Sequence, residues 1–292
     1  MENKKEDFDM LVTGKEILQD AHKNGYAVGA FNINNMEIIQ AIIDAAEETR
    51  SPVILQASQG GIKYAGIDYI SKLAKVAAEK ATVPVAIHLD HGTDFDQVML
   101  CIRNGFTSVM VDGSRFPLEE NIELTKKVVE IAHAVGVSVE AELGKIGGTE
   151  DHIKVDEKDA TMTDPDEALR FAKETDVDYL AIAVGTAHGV YKGKPELDFD
   201  RIKTIKKMTN MPLVLHGSSG VSYDDIEKAV SLGINKINID TDVRMAFADA
   251  IKEFIKENPD EIDPRNILKP ARANMSKIVA EKMRVFGSAG RA

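Results

Sequence analysis

Eight short apolar runs, separated by amphipathic segments, constrain the fold of this chain more than any other feature. Each run has strand length, and the runs cover residues 27–31, 52–57, 84–89, 108–111, 137–142, 179–184, 212–216 and 236–239. The segments between them show helical spacing of apolar residues, and several end in glycine, as at Gly105, Gly136 and Gly233. A strand and a helix that alternate through eight cycles predict an α/β fold, a closed parallel (β/α)₈ TIM barrel.

An open doubly wound sheet is the alternative fold. Such a sheet normally carries a glycine-rich dinucleotide fingerprint after its first strand, whereas residues 31–35 read Phe-Asn-Ile-Asn-Asn. We therefore predict one barrel domain over residues 1–292. A helix over 13–24 would cover the barrel bottom, and the last barrel helix would run from 243 to 256. A loop over 258–270 would lead to a C-terminal helical extension over 271–286.

Composition narrows the class of protein and its location. The chain has 292 residues and is 43% hydrophobic, enough for a substantial core, and its formal net charge of −12 argues against nucleic-acid and anionic-membrane partners. Cys101 is the only cysteine, so an intrachain disulfide is excluded, as suits a reducing compartment. The first nine residues are charged and unlike a signal peptide, and no run reaches membrane-helix length. We expect a cytoplasmic protein.

Polar side chains stand at every predicted strand tip, where barrel enzymes place their catalytic groups. The tips offer Asn32, Ser58, Asp90, His91, Asp112, Glu140, Glu142, His188, His216, Ser218, Asn238, Asp240 and Thr241. His91, His188 and His216 are far apart in sequence, yet a barrel would bring their tips together. Three imidazoles with an open fourth position are typical of a catalytic Zn²⁺. The alternative is that each histidine only bonds a loop carbonyl.

Two carboxylates follow the fourth and fifth strands. Asp112 and Glu142 would orient the imidazoles or serve as oxygen ligands for a second metal position. The alternative for both is helix capping or an ion pair between loops. His88 and Glu140 point the same way along their strands as Asp90 and Glu142, and we interpret them as packing or supporting residues.

A second group of residues is suited to phosphate. Residues 216–220 read His-Gly-Ser-Ser-Gly after the seventh strand, and Asn238 to Thr241 end the eighth strand at a helix start. Barrel enzymes commonly bind phosphate there, through backbone N–H groups and small hydroxyls. The segment 185–193, with Gly189 and Lys192, would close the third side, although an ordinary turn also fits the glycines. No predicted tip carries lysine, so metal polarisation is favoured over a Schiff base.

Six motifs carry a resemblance to a known family. They are His-Leu-Asp-His-Gly at 88–92, Val-Glu-Ala-Glu-Leu-Gly at 139–144, Gly-Gly-Thr-Glu-Asp at 147–151, Gly-Thr-Ala-His-Gly at 185–189, Leu-His-Gly-Ser-Ser-Gly at 215–220 and Asn-Ile-Asp-Thr-Asp at 238–242. In this order and at this spacing they closely resemble the class II, metal-dependent fructose-bisphosphate aldolases. The tagatose-bisphosphate aldolases share nearly all of them.

The resemblance implies a role for each matched residue. It implies that Zn²⁺ is held by His91, His188 and His216, with Asp112 and Glu142 at a second metal position. Asp90 would be the acid/base at the C4 hydroxyl, and Glu150 would remove the C3 proton of dihydroxyacetone phosphate. Ser58 would contact the aldehyde partner. The ketose phosphate would lie against Gly189, Gly217, Ser218, Ser219, Asn238, Ile239, Asp240 and Thr241. Arg244, from a neighbouring subunit, and the segment 263–265 would lie near the distal phosphate.

The implied reaction is reversible cleavage of fructose 1,6-bisphosphate in glycolysis and gluconeogenesis, by a homodimer or homotetramer. Its partners would be sugar bisphosphates and triose phosphates. The tagatose epimer stays open because spacing cannot resolve a stereocentre, and so does a monovalent-cation requirement. Two other readings are a metal-dependent hydrolase on the same fold, which would want more ligands on the first strand, and a sugar-phosphate binding protein, which would leave the metal site without purpose.

Overall fold

Eight parallel strands close into a barrel, which confirms the predicted fold class. The computed structural model describes residues 10–150, 153–156, 160–191 and 193–292, with the backbone alone for residues 150, 153 and 154. The barrel strands are β1 (Val28–Asn32), β2 (Val53–Ser58), β3 (Val85–Gly92), β4 (Ser108–Val111), β5 (Ser138–Leu143), β8 (Tyr179–Ile182), β10 (Leu213–Leu215) and β11 (Ile234–Ile239). Their order around the barrel is β1-β11-β10-β8-β5-β4-β3-β2.

Helices follow the strands and cover the outside of the barrel. They are α1 (Gly14–Asn24), α2 (Met36–Thr49), α3 (Gln59–Ala65), α4 (Ile67–Lys80), α5 (Phe95–Arg103), α6 (Leu118–Ala134), α7 (Pro165–Thr175), α8 (Phe199–Thr209), α9 (Tyr223–Ser231), α10 (Thr241–Glu257) and α11 (Pro264–Val285). Apolar side chains on their inner faces meet the outward side chains of the strands, and together these form the larger hydrophobic core. Among the described residues, no helix is long and apolar enough to cross a membrane.

Helix α1 covers the N-terminal end of the barrel. Thr13 begins it with a capping box, in which the Thr13 side chain and the Glu16 carboxylate exchange hydrogen bonds with each other's backbone N–H groups. Its face of Ile17 and Leu18 belongs to a second apolar cluster, with inward side chains of the strands such as Val214. Because this end is sealed, the opposite, C-terminal end of the barrel is left for chemistry.

Replacement of Leu18 by alanine should destabilise the protein. Leu18 is fully buried, and a buried Leu→Ala change removes apolar contacts and leaves a cavity, which costs about 2–5 kcal/mol. Urea denaturation followed by circular dichroism measures the loss. The exposed Lys23 on the same helix supplies the control, and a Leu18→Ala protein as stable as Lys23→Ala would contradict the role of α1.

A small sheet stands outside the barrel, and the strand pattern did not predict it. It contains β6 (Gly147–Glu150), β7 (Ile153–Val155) and β9 (Ala187–His188), in the order β7-β6-β9. Strand β6 runs parallel to β9, with Gly148 opposite His188. These strands are too short to show a period, so only the tertiary pairing reveals them.

The predicted loop over 258–270 is wrong in its second half. Helix α11 already begins at Pro264, and the Asp263 side chain caps it by accepting from the Arg265 N–H. Proline is well suited to the first position of a helix because that N–H has no intrahelical partner. Pro270 lies inside the helix, where packing of the buried face of α11 against α2 outweighs its effect. Helix α3 was also not predicted.

Candidate active site

His91 occupies a strained position at the end of β3. Its φ angle is 49°, a left-handed conformation that costs an L-residue roughly 1–2 kcal/mol. Side chains normally alternate across a strand, so Asp90 and His91 would face opposite ways. The turn at His91, together with a register shift between β3 and β4 at Leu89 and Gly92, brings both side chains to the barrel mouth.

The structure brings His91, His188 and His216 together from three separate elements. One ring nitrogen of each lies within 4.8 Å of the others. The ring centroids are 4.7 Å apart for His91 and His216, and 5.1 Å apart for His91 and His188. Because His91 ends β3 and His216 follows β10, which are not neighbours in the sheet, this contact spans the barrel mouth.

Two carboxylates hold the outer nitrogens of these rings. His91 Nδ1 lies 3.0 Å from Asp112 Oδ2, and His216 Nε2 lies 2.7 Å from Glu140 Oε1. Each carboxylate accepts a hydrogen bond from the N–H of its ring. In a neutral ring the other nitrogen, His91 Nε2 or His216 Nδ1, therefore carries no proton. These two unprotonated nitrogens face each other at 3.0 Å.

This donor set fits a divalent cation. Two facing lone pairs repel unless a positive charge lies between them, and two nitrogen ligands of a tetrahedral Zn²⁺ are about 3.3 Å apart. The observed spacing of 3.0 Å is close to that value. The carboxylate behind each ring is the usual support of a ligating histidine.

Asp112 and Glu142 lie beside the histidines, and their pKa values are shifted in opposite directions. Burial alone would raise the pKa of Asp112, but hydrogen bonds from His91 and Ser114 outweigh it and hold that pKa below the ordinary value. Burial, reinforced by the Asp112 charge, raises the pKa of Glu142 well above the ordinary value. Ligand atoms of His91, Asp112 and Glu142 also lie within 4.8 Å of one another. Asp112 thus accepts a hydrogen bond from His91. A cation bound nearby would lower the raised pKa of Glu142 by favouring its ionised form.

Three carboxamides surround the carboxylate of Asp90, which is fully buried. Asn32 Nδ2 donates to Oδ2 at 2.9 Å, Gln56 Nε2 reaches the same oxygen at 3.2 Å, and Asn238 Nδ2 donates to Oδ1 at 3.2 Å. Gln56 Nε2 also donates to Asn32 Oδ1 at 2.6 Å, which turns the Asn32 amide toward Asp90. Sequence reasoning missed Gln56, although it lies two residues before the tip residue Ser58 and so on the same face of β2.

A cavity beside the histidines contains most of the predicted phosphate-binding residues. Its walls are Asn32, Thr149, His188, Gly189, Gly217, Ser218, Ser219, Asn238, Asp240, Thr241 and Arg244. Gly217 has a φ of 61°, and a Cβ there would meet the Ala187 carbonyl oxygen at 2.5 Å. Glycine is therefore needed for the loop after β10 to approach the β9 strand that carries His188.

The N-terminus of α10 points at the same cavity. Asp240 precedes the helix, and Ser219 Oγ accepts from the backbone N–H groups of Asp240 and Asp242 at 3.4 and 3.3 Å. Backbone N–H groups at a helix start form a favourable environment for a phosphate. Arg244 adds a positive charge, held by Asp240 Oδ1 at 2.7 Å from its Nε. Arg244 thus lines the cavity of its own chain, whereas the sequence resemblance implied that it comes from a neighbouring subunit.

Two predicted substrate-binding residues, Ser58 and Ile239, are not among the residues that line this cavity. Ser58 lies next to Asp90 in the strand register, where its hydroxyl caps α3 by accepting from the Gly61 N–H at 3.1 Å. The Ile239 side chain packs in the core, so only its backbone remains for a ligand. The backbone of Glu150 ends β6 near His188. The Glu150 side chain and Lys192 lie outside the described residues.

A layer of buried polar side chains lies beneath the strand tips. Lys236, Glu140 and His88 are fully buried inside the barrel, each two residues before a tip residue. Burial opposes ionisation of Glu140, but the Lys236 ammonium and the hydrogen bond from His216 hold the pKa of Glu140 well below its ordinary value. Sequence reasoning named His88 and Glu140 as supporting residues and missed Lys236. The two-residue spacing from Asn238 was the signal that places it inside.

Comparison with known proteins identifies the class of this barrel. A sequence model of the family described as fructose-bisphosphate aldolase class-II matches residues 12–291. The fructose-bisphosphate aldolase of Thermus caldophilus is 50% identical, over 97% of this chain and all of the relative. The sulfofructosephosphate aldolase of Alkalicoccus urumqiensis is 49% identical, over 96% of this chain and 98% of the relative. The crystal structure of the YdjI aldolase from Escherichia coli K12 superposes with a TM-score of 0.86 at 39% identity, covering 97% of this chain and 99% of that one.

A parallel barrel with three histidines and a phosphate-type cavity at its C-terminal mouth is the architecture of a metal-dependent sugar-phosphate enzyme. Given these matches, the chain belongs to the class II fructose-bisphosphate aldolase family. The family implies a divalent metal and sugar-phosphate substrates, and the residues described above fit both.

Proposed function

We propose that this protein is a Zn²⁺-dependent lyase that reversibly cleaves fructose 1,6-bisphosphate to dihydroxyacetone phosphate and glyceraldehyde 3-phosphate. The observation that carries the proposal is the convergence of ligand nitrogens from His91, His188 and His216 within 4.8 Å, beside a cavity with phosphate-type loops. Family membership over residues 12–291 supports the same reaction.

Binding of the ketose phosphate is assigned to the cavity loops. The backbone of Gly217 to Ser219 and the start of α10 would hold the phosphate of the dihydroxyacetone half, with Gly189 on the facing wall. Arg244 would add charge from the same subunit. Ser58, beside Asp90 on the neighbouring strand, is assigned to the aldehyde half. We assign Lys192 to the same loop as Gly189 from the sequence resemblance alone.

Proton transfer is assigned to two carboxylates. Asp90 accepts the proton of the C4 hydroxyl as the C3–C4 bond breaks, and the electron pair of that bond moves to the dihydroxyacetone phosphate half. Glu150 returns a proton to C3 in this direction and removes it in the reverse direction. The amide donors around Asp90 hold its carboxylate in place for this transfer.

His91, His188 and His216 would hold a divalent cation, which would supply Lewis-acid stabilisation of the negative charge that develops on the dihydroxyacetone phosphate half. We propose Zn²⁺ because three imidazoles suit it better than Mg²⁺, which prefers oxygen ligands. Asp112 and Glu142, whose oxygens lie within 4.8 Å of a ring nitrogen of His91, are proposed as oxygen ligands for an alternate position of the cation. The raised pKa of the buried Glu142 supports this, since a nearby cation would favour its ionised form.

We also propose a domain organisation, an oligomeric state and a location for the protein. We infer one barrel domain, a homodimer or homotetramer, and a cytoplasmic location, from the family resemblance and from a chain whose single cysteine is buried. The hydrolase reading gains no support. Asn32 on the first strand donates to Asp90 and does not present a further metal ligand.

A substrate comparison tests the proposal directly. Purified, zinc-loaded protein should cleave fructose 1,6-bisphosphate with a higher kcat/KM than tagatose 1,6-bisphosphate, because the relative from Thermus caldophilus that is 50% identical is a fructose-bisphosphate aldolase. Triose-phosphate release in a coupled assay is the measurement. Sulfofructose phosphate is the third substrate, chosen because a relative of that activity is 49% identical. A higher kcat/KM for tagatose 1,6-bisphosphate or for sulfofructose phosphate would reassign the substrate. If none of the three substrates were cleaved, the proposed lyase activity would be wrong.

A further inference from the structure

A fully buried lysine forms an ion pair inside the barrel, next to the proposed metal centre. Lys236 Nζ lies 2.8 Å from Glu140 Oε2, and both side chains have no exposed surface. Strands β11 and β5 are not neighbours in the sheet, so the pair crosses the barrel interior. The other oxygen of Glu140 lies 2.7 Å from His216 Nε2. A continuous contact therefore runs from the ammonium, through the carboxylate, to one nitrogen of a proposed metal ligand.

The chemistry of the three groups allows one arrangement of protons. An ammonium only donates, and a carboxylate only accepts. Glu140 accepts from Lys236 at one oxygen, and its other oxygen requires a proton on His216 Nε2. A neutral His216 then has no proton on Nδ1, and this nitrogen faces His91 Nε2 at 3.0 Å. The contacts of Lys236 and Glu140 thus determine that His216 Nδ1 is the nitrogen left to bind the metal.

Other neighbours of His216 do not make this choice. Asn238 Nδ2 lies 3.3 Å from both Nδ1 and Nε2 of His216, so it favours neither tautomer. His88 Nε2 lies 3.3 Å from Glu140 Oε2, and His88 Nδ1 lies 2.6 Å from Ser108 Oγ. His88 therefore contacts the carboxylate and not the ring of His216.

We propose that the Lys236–Glu140 pair is a positioning pair, which selects the tautomer of His216 that binds the metal through Nδ1. The proposal rests on the metal site of the proposed function. A buried ion pair is weak grounds for stability, since apolar residues of similar volume often replace one without loss. A role in orienting His216 explains why the charged side chains of Lys236 and Glu140 are kept inside the barrel.

Glu140→Gln is the variant that inverts the tautomer. Because Lys236 can only donate, the new amide must turn its oxygen toward Lys236 and its NH₂ toward His216 Nε2. His216 then accepts at Nε2 and carries its proton on Nδ1, where the metal should bind. We expect zinc affinity to fall about 10–100-fold, the usual loss when the partner of a ligating histidine is changed. Competition with a chromophoric chelator measures it.

The double variant Glu140→Gln, Lys236→Met reverses the effect. Without the ammonium, the amide oxygen is free to accept from His216 Nε2–H, and its NH₂ can donate to His88. Both buried charges are removed together, so no unpaired charge is left in the barrel. We expect the double variant to bind Zn²⁺ more tightly than Glu140→Gln alone. Lys236→Met by itself would leave the Glu140 carboxylate unpaired, just as Glu140→Gln leaves the Lys236 ammonium unpaired, and the histidine spectra separate a change of tautomer from this loss of charge balance.

Nitrogen-15 spectra of the histidine rings in the metal-free proteins give a readout independent of activity. His216 should be protonated at Nε2 in the parent protein and in the double variant, and at Nδ1 in Glu140→Gln. The control is Ser138→Ala, which alters a buried barrel hydroxyl near Tyr179 without touching a ligand. Circular dichroism confirms that each variant is folded.

Three results would overturn the proposal. These are parental zinc affinity in Glu140→Gln, no recovery in the double variant, or an equal loss in Ser138→Ala. His216→Ala separates this failure from failure of the metal site. If His216→Ala loses zinc affinity and Glu140→Gln does not, only the positioning role is wrong. If His216→Ala binds Zn²⁺ normally, the metal assignment itself fails.

Discussion

Asp90→Ala should lose most of its turnover while it keeps its affinity for Zn²⁺. Asp90 lies beside His91, but its oxygens bond three carboxamides, so the imidazoles keep their own carboxylate partners without it. Loss of a positioned acid/base typically lowers kcat by about 10²- to 10⁴-fold. Steady-state cleavage of fructose 1,6-bisphosphate, with zinc binding measured by chelator competition, gives both quantities.

A partial reaction localises the defect of this variant. Exchange of the C3 proton of dihydroxyacetone phosphate with deuterated solvent is assigned to Glu150, so Asp90→Ala should retain it while carbon–carbon cleavage is lost. Asp96→Ala changes an exposed aspartate in the first turn of α5 and should behave as the parent protein. Turnover near the parental value in Asp90→Ala would remove Asp90 from the mechanism.

Removal of the divalent metal should abolish cleavage and leave the fold intact. Lewis-acid stabilisation of the developing charge is worth several kcal/mol, which corresponds to a loss of at least about 10³-fold in rate. Zn²⁺ added back after dialysis against EDTA should restore activity, and Mg²⁺ should not, because nitrogen donors suit it poorly. The far-ultraviolet circular dichroism spectrum should not change, since the core is built of apolar contacts that do not involve the site.

Borohydride reduction in the presence of substrate distinguishes metal chemistry from a Schiff base. Lys236 lies inside the barrel, yet its ammonium is paired with Glu140 at 2.8 Å and has no exposed surface. Reduction should therefore leave the mass of the protein unchanged. A metal-free preparation that retains full activity, or a covalent adduct on a lysine, would contradict the proposed chemistry.

Much of the fold was predictable because the barrel repeats one local pattern. The strands β4 and β5 begin and end within a residue of the predicted runs 108–111 and 137–142, since the first run is mainly apolar and the second alternates between apolar and polar residues, both of which are strand patterns. The start of α11 at Pro264 was not predicted. Pro264 and Pro270 interrupt the helical pattern of the sequence. The cap of α11 at Asp263 and the packing of the buried face of α11 show that the helix begins at Pro264.

The candidate site divides in the same way. Residues at strand tips are predictable in kind, because parallel strands deliver their C-terminal ends to one side of a barrel. The left-handed turn at His91 and the contact of the Gln56 amide with Asp90 depend on neighbours distant in sequence, and the spacing of Gln56 from Ser58 indicates only which face of β2 it occupies. The same holds for the strand pairing that places Gly148 of β6 opposite His188.

Sequence alone therefore determined the barrel and the set of side chains at its mouth, since both follow from the period of the apolar residues along the chain. Tertiary structure alone decided which ring nitrogen of His91 and of His216 faces a carboxylate and which faces the barrel mouth. That choice depends on Asp112 and Glu140 behind the rings, and on Lys236, which reaches Glu140 across the barrel from a strand that is not its neighbour. Such contacts arise only when the sheet closes, because closure brings residues from opposite walls within hydrogen-bonding distance.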